Sequence, residues 1–359
     1  MGIDFPAECW QRIEKDYTAW WKGELDRPLI HIELTGATAG MPKPEGPVYD
    51  YMALYDLSIP AETIVKQWEY MLSCKKFIGD AYPFIIPDFG PGVNAAFMGA
   101  RATPTPDTVW FKGEKEKPMN ALHFSYNPEE LTLKRIRELY RVASEYFKGS
   151  VCLGMTHLNN GIDPVARFFD SETIALAFYD DPENLKRLIW ETYELCIKYY
   201  DELTAAMGPN NPGYTCWGYM FSKLPHFMCQ SDFSAMIGPE MFREFILPEL
   251  EACCSKFGNS FYHLDGPGEL PHLDMILNIR ELKGVQWIPG DGKPDFKYWP
   301  EVYSKIRQAG KLIQLFGDLD TLEVVAEQVG SAKGIYYFGS FDISEEKRAM
   351  KLLEKFGVI

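Results

Sequence analysis

"SFYHLD" (260–265), followed at once by "GPGELPHLD" (266–274), is a short apolar run cut off by an aspartate and a glycine. Both of its faces are apolar, as in a strand buried on two sides within a parallel sheet, and Gly266 and Pro267 mark an exit into a loop. The pattern recurs at "RPLIHIELT" (27–35), "YPFIIPDFG" (82–90), "SVCLGMTHL" (150–158), "GYTCWGYMF" (213–221), "GVQWIPG" (284–290), "KLIQLFGD" (311–318) and "GIYYFGSFD" (334–342). Most of these runs end in Gly, Asp, His or Asn.

The stretches between them read as helices. "AETIVKQWEYMLSCKKFIG" (61–79) puts Ile64, Trp68, Met71 and Leu72 on one stripe, and "EELTLKRIRELYRVASEYF" (129–147) does the same with Leu133, Ile136, Leu139 and Tyr140. "PENLKRLIWETYELCIKYYDEL" opens with Pro182 at a first-turn position, and Gly258 stops the helix "PEMFREFILPELEACCSKFG". Shorter helices fit 270–282, 298–309, 320–330 and 344–356. Eight strand–helix units predict an α/β (β/α)8 TIM barrel. It would be a single domain over 1–359, with 1–26 as an N-terminal helical extension capping it. No GxGxxG follows the first run, which argues against a doubly wound dinucleotide fold. Residues 36–59 read as a long loop over the first strand.

Of the 359 residues, 46% are apolar and 14% aromatic, enough to fill a large core. A net charge of −15 argues against nucleic acid or an anionic membrane as partner. No run approaches the ~18 apolar residues of a membrane span, and "MGIDFPAECWQRIEKDY" lacks the features of a signal peptide. Eight scattered cysteines without a CxxC read as reduced thiols, so a cytoplasmic location is expected.

A barrel of this type keeps its chemistry at the carboxyl ends of the strands. His263 and Asp265, two apart on one strand, face the same side and can converge. Imidazole and carboxylate both bind zinc, and they also make an acid–base pair; a mutually satisfied buried pair is the bland alternative. Asp88 ends the second run beside "GPG" and either meets a ligand or caps a turn. His157, with Asn159 and Asn160, suits polar recognition of a substrate. Trp217 and Tyr219 share a face and are read as pocket wall, whereas Cys216 points into the core. Trp287 is read as a stacking wall, and Ser340 lies at the rim without the GxSxG setting of a nucleophile. Asp232 contacts substrate or caps the next helix. Arg101 and Arg167 lie in rim loops; His272 reads as structural.

Several stretches, in order along the chain, resemble the uroporphyrinogen decarboxylase superfamily: "DFGPGVNAAFMGA" with "DTVWF", "GIDPVARFFDSETIALAFYDDPENLKRLI", "SDFSAMIGPEMFREFILPEL", "YHLDG", "LFGDLDTLEVV" and "YYFGSFDISEEKRAM". The resemblance implies a (β/α)8 barrel. The decarboxylases grip their substrate's carboxylates with an N-terminal RQAGRY-like segment. This chain reads "WQRIEKDYTAWWKGELDRP" there, which favours the cobalamin-dependent methyltransferase branch. In that branch the resemblance puts zinc on a His-x-Cys of strand five and a later Gly-Cys. His263 matches the histidine, while Asp265 and Ser340 stand where the cysteines would be.

Three functions follow as expectations. The first is a methyltransferase moving a methyl group between a small donor, such as a methoxylated aromatic, and a corrinoid protein or cobalamin. His263 and Asp265 would bind zinc or protonate the leaving oxygen. The second is a decarboxylase or lyase acting on a smaller carboxylic acid. The third is a non-catalytic protein binding a small ligand or a corrinoid.

Overall fold

The computed structural model describes residues 3–46, 48–113 and 117–359. Its strands are β1 (Leu29–Thr35), β2 (Lys75–Gly79), β3 (Phe84–Ile85), β4 (Ala100–Pro104), β5 (Val109–Gly113), β6 (Cys152–Leu153), β7 (His226–Cys229), β8 (Asn259–Asp265), β9 (Leu282–Ile288), β10 (Leu312–Leu315) and β11 (Ile335–Asp342). Seven of them form one mostly parallel sheet in the order β2-β1-β11-β10-β9-β8-β7; β3 pairs with β6, and β4 with β5. Only β2 runs antiparallel within the large sheet. β7 and β10 are buried at every position and β1 at all but its last, as strands covered on both faces are.

Side chains join the two parallel ladders where hydrogen bonds do not. On one side, the His31 ring of β1 lies 5.1 Å from Tyr82 and 5.8 Å from Phe84 of β3. On the other, His157, beyond β6, bonds Gln230, beyond β7, at 2.9 Å. Among the described residues no ladder connects β3 to β1 or β6 to β7, so the strands are an α/β arrangement rather than a single hydrogen-bonded ring.

The helix Ala7–Trp21 covers the amino-terminal ends of the strands. Its buried stripe of Ile13, Tyr17, Trp20 and Trp21 follows helical spacing. Tyr17 packs edge-on to Tyr82 at 5.8 Å, and Trp20 stacks on Phe261 of β8 at 5.9 Å. Arg27 fastens the start of β1 by gripping Asp80 at 2.7 and 2.9 Å. Among the described residues, no helix is long and apolar enough to cross a membrane.

The run 213–221 is not a strand. Among the described residues its backbone pairing is limited to isolated bridges, Met155 with Cys216 and Tyr214 with Ser222, and it reverses at Trp217–Gly218. Gly213 and Gly218 break the ladder, and the chain dips between the strand ends before the true strand β7 begins at His226. Tyr219 adopts φ +61°, which costs a non-glycine residue about 1 kcal/mol or more. Three wall side chains hold the dip. The Tyr82 and Tyr336 hydroxyls donate to the Tyr219 carbonyl at 2.9 and 2.6 Å, and Gln314 Nε2 donates to the Gly218 carbonyl at 2.6 Å. The helix expected over 61–79 ends at Ser73, and its last residues become β2.

Candidate metal and proton-transfer site

His263 and Asp265 are adjacent inward positions of β8, and Asp232 begins the turn that follows β7. One ligand atom from each of Asp232, His263 and Asp265 lies within 4.8 Å of the other two. Parallel pairing of β7 with β8 produces this meeting, because it sets their carboxyl ends side by side.

The surroundings are acidic, buried at Asp163 and open to solvent at Asp232. Asp163, buried in "GIDPV", accepts the backbone N–H groups of Asp232 and Phe233 at 3.0 and 3.1 Å. Burial, and then the Asp232 charge, nevertheless push its carboxyl up to about 7. Asp232 is exposed at the surface, yet the protein around its carboxyl group, and then the Asp265 charge, raise it to about 6. Arg167 opposes both shifts. Glu269, fully buried behind β8 and bonded by Tyr262 at 2.9 Å, is raised by burial to about 10 and so is held protonated. Asp163, Asp232 and Asp265 against Arg167 leave a net −2 when all are ionised.

Amides orient both imidazoles. His263 Nδ1 bonds Gln286 Oε1, directly across the β8–β9 register. His157 Nε2 bonds Gln230 Oε1 at 2.9 Å, and Gln230 Nε2 donates to the Asp232 carboxylate at 3.2 Å. Burial lowers His157 to about 4 and lowers His263 as well, so both rings are neutral near pH 7. Trp217 stacks on His157 at 4.3 Å and meets His263 edge-on at 5.0 Å.

Of the residues singled out in the sequence, His263, Asp265, His157 and Trp217 come together here, with Asp232 and Arg167. Tyr219 lies further along the dip, its ring stacked on Phe338 at 4.4 Å. Asp88 is half-buried at the end beyond β3, accepts the Gly90 N–H at 2.8 Å, and has its carboxyl raised by burial. Asn159 is buried over Gly92 and fastened to Asn94 through its backbone, at 2.9 and 2.7 Å; its own amide has no partner. Ser340 is exposed at the rim of β11, opposite Glu33 in the β1 register.

Trp287 is not a pocket wall. It is fully buried with its ring against Trp299, at 5.0 Å, on the helix-covered face of β9. The inward residue is its neighbour Gln286, paired with His263, so the sequence reading chose the wrong parity. Asp163, Gln230, Gln286, Gln314 and Glu269 were not singled out at all. The period of two along a strand, counted from His263, would have found Gln286. Arg101 is exposed on β4, away from the cluster. Arg167 also lines a cavity of about 710 Å³ with Trp110, Lys112, Phe168 and Phe169.

No protein-family model and no curated protein matches the chain. Among solved structures, a methyltransferase from Methanosarcina mazei superposes with a TM-score of 0.59 at 14% identity, over 96% of this chain and 99% of that one. At that identity the likeness is one of fold. A GH138 enzyme targeting pectin rhamnogalacturonan II overlaps with a TM-score of only 0.25 at 12% identity, over 63% of this chain and 33% of that one.

Proposed function

We propose that this chain is a methyltransferase of the uroporphyrinogen decarboxylase superfamily, moving a methyl group between a small donor and a corrinoid protein or cobalamin. On this reading the two ladders, joined by side chains at both edges, act as one closed (β/α)8 barrel. The observation that carries the reading is the convergence of Asp232, His263 and Asp265 at the carboxyl ends of β7 and β8, within 4.8 Å. The fold shared with a methyltransferase adds to it.

The donor set fits a divalent cation of borderline-to-hard character, with zinc as the first candidate. It offers one imidazole nitrogen and two carboxylates, Asp232 and Asp265, whose two negative charges a dication would cancel. It does not fit a thiolate-rich zinc site, since none of the eight cysteines belongs to the group. Activation of a thiol acceptor by cysteine-bound zinc is therefore not proposed. Asp232, His263 and Asp265 would hold the cation, which would supply Lewis-acid stabilisation of a leaving oxygen.

The chain's own residues perform the rest. Gln230 holds the Asp232 carboxylate toward the cluster. Asp163, with its carboxyl near neutrality, keeps a proton that a departing phenolate or alkoxide can take up. Trp217, fixed between the two imidazoles, gives a flat wall for a methoxylated aromatic ring. Arg167 is the cation nearest the acids and limits their mutual repulsion.

The test is metal content of the purified protein, zinc and manganese titration by calorimetry, and methyl transfer from a panel of methoxylated aromatics to reduced cobalamin. A bound dication lost in Asp265→Asn, and transfer abolished in His263→Ala, are expected. Full activity in His263→Ala would sink the proposal. Release of carbon dioxide from a small carboxylic acid without cobalamin would replace it with the lyase reading, in which Asp163 is the proton donor and Arg167 the carboxylate anchor.

A further inference from the structure

The interior holds a line of buried amides that ends on the dip. His263 Nδ1 bonds Gln286 Oε1; Gln286 Nε2 donates to Gln314 Oε1 at 2.9 Å; Gln314 Nε2 donates to the Gly218 carbonyl at 2.6 Å. Gln286 and Gln314 are 1% and 0% exposed, so water does not share these contacts. The two ends of an amide have nearly the same shape, and only the partners decide which way it points.

Here the far end decides. A backbone carbonyl accepts and never donates, so Gln314 must turn its NH2 to Gly218. Its oxygen then faces Gln286, which must answer with its own NH2. The Gln286 oxygen is left facing His263, so the ring nitrogen it meets, Nδ1, must carry the hydrogen. A neutral imidazole has one N–H, and Nε2 is therefore the bare lone pair. The root is held from two sides: the neighbouring Tyr219 carbonyl is bonded by Tyr82, just before β3, and by Tyr336 of β11.

We propose that Gln286 and Gln314 are positioning residues that lock His263 as the Nδ1–H tautomer, with the polarity set by the Gly218 carbonyl. The dip at 213–222 thus serves the site twice, through the Trp217 ring and through a carbonyl that decides which nitrogen of His263, in the cluster with Asp232 and Asp265, carries the lone pair. The use made of that lone pair, cation binding, rests on the function proposed above, but the tautomer does not.

His157 is an internal control. Its partner Gln230 is directed by the Asp232 carboxylate, an acceptor, so its Nε2 carries the hydrogen by a separate route.

The experiment is a long-range proton–nitrogen correlation spectrum of 15N-histidine-labelled full-length protein at pH 8, above the ordinary imidazole pKa of about 6.5. His263 is assigned by loss of its signals in His263→Gln. Wild type should show His263 as Nδ1–H and His157 as Nε2–H. Gln314→Met removes both hydrogen-bonding ends and should give mixed tautomers at His263 with His157 unchanged. It should also weaken zinc or manganese binding about 10- to 100-fold, the usual effect of losing an orienting partner. Gln314→Glu still offers Gln286 an acceptor and should restore the wild-type pattern. Should Gln314→Met fail to fold, Gln286→Glu, either ionised or with its proton donated to Gln314, still presents an acceptor oxygen and must keep His263 as Nδ1–H. An Nε2–H pattern at His263 in wild type, or an unaltered pattern in folded Gln314→Met, would overturn the inference. The predicted tautomers without any metal binding in wild type would leave the positioning role standing and remove the metal reading.

Discussion

Glu249 is the place where burial makes the sharpest claim on stability. It lies on the helix Leu247–Lys256 with 1% of its surface exposed, and Asn160 Nδ2 donates to both its oxygens at 2.8 and 3.0 Å. Gly161 leaves the space for it: a Cβ there would come within 2.7 Å of Glu249 Oε2. Burial raises the carboxyl from 4.5 to about 8, against the Asn160 bond and with help from Asp163. The folded protein thus binds the Glu249 proton more tightly than the unfolded chain does. Between pH ~4.5 and ~8 the folded state keeps a proton that the unfolded state has lost, so stability falls as pH rises across that window. The slope is about 1.4 kcal/mol per pH unit, which sets a ceiling of about 5 kcal/mol over the window. Glu249→Gln removes the titration, keeps the shape, and gives the unpaired Asn160 Oδ1 a donor. In urea unfolding, variant and wild type should agree at pH 5, and the variant should gain at least about 1–2 kcal/mol by pH 8.5. Asp163 and Glu269 titrate in both proteins and largely cancel in the difference. Parallel stability profiles from pH 5 to 8.5 would show that Glu249 is solvated or differently paired, and the argument would fail.

Three further outcomes are expected. Gly284→Ala places a Cβ 2.2 Å from Phe261 Cζ and 2.5 Å from the Leu312 carbonyl, which cannot yield. It should cost about 2–3 kcal/mol or more in a chemical denaturation curve, and a neutral result would mean that β8–β10 are looser than described. Trp217→Leu loses the stack on His157 at 4.3 Å. It should raise KM for an aromatic donor about 2- to 10-fold, the worth of one aromatic pair, with a smaller effect on kcat; a loss confined to kcat would place Trp217 elsewhere in the reaction. In native protein a thiol reagent should reach Cys9 and Cys74 alone, since the other six cysteines are buried and Cys152, Cys216 and Cys253 have thiols pushed up to about 12. Rapid reaction of a third thiol would contradict the burial of that layer.

The parallel strands were legible because each is covered on both sides and so is apolar at nearly every position. Seven of the eight runs contain a strand at or near the expected place. The eighth, 213–221, has strand composition but packs against the ends of the wall. Its aromatic rings are buried by stacking on His157, Phe84 and Phe338 rather than by a helix layer. The strand that replaces it, His226–Cys229, is four residues long and starts with a polar residue, too little for a periodicity to register. Trp287 shows the complementary error: side-chain size suggested a wall, whereas the β8–β9 register puts the smaller Gln286 inside. Of the acids, Asp265 and Asp232 were singled out, but Asp163 was illegible for a different reason. It lies on the short helix Ile162–Val165, far in sequence from Asp232 after β7 and Asp265 at the end of β8, and strand order rather than any local spacing brings the three together.

The interior polarity is itself an argument about where the chemistry lies. An unpaired buried amide or imidazole costs about 1–3 kcal/mol, so a line of them persists only if each finds a partner. From the Gly218 carbonyl through Gln314 and Gln286, each amide nitrogen donates to an oxygen and each amide oxygen has a partner, until the line reaches His263. There it stops at an imidazole whose other nitrogen keeps a lone pair, in one cluster with two carboxylates. A line built for stability alone would close on a hydroxyl or an N–H. This one delivers its open end to the carboxyl edge of β8, beside Asp232 and Asp265, where a proton or a cation would join three groups that otherwise only accept.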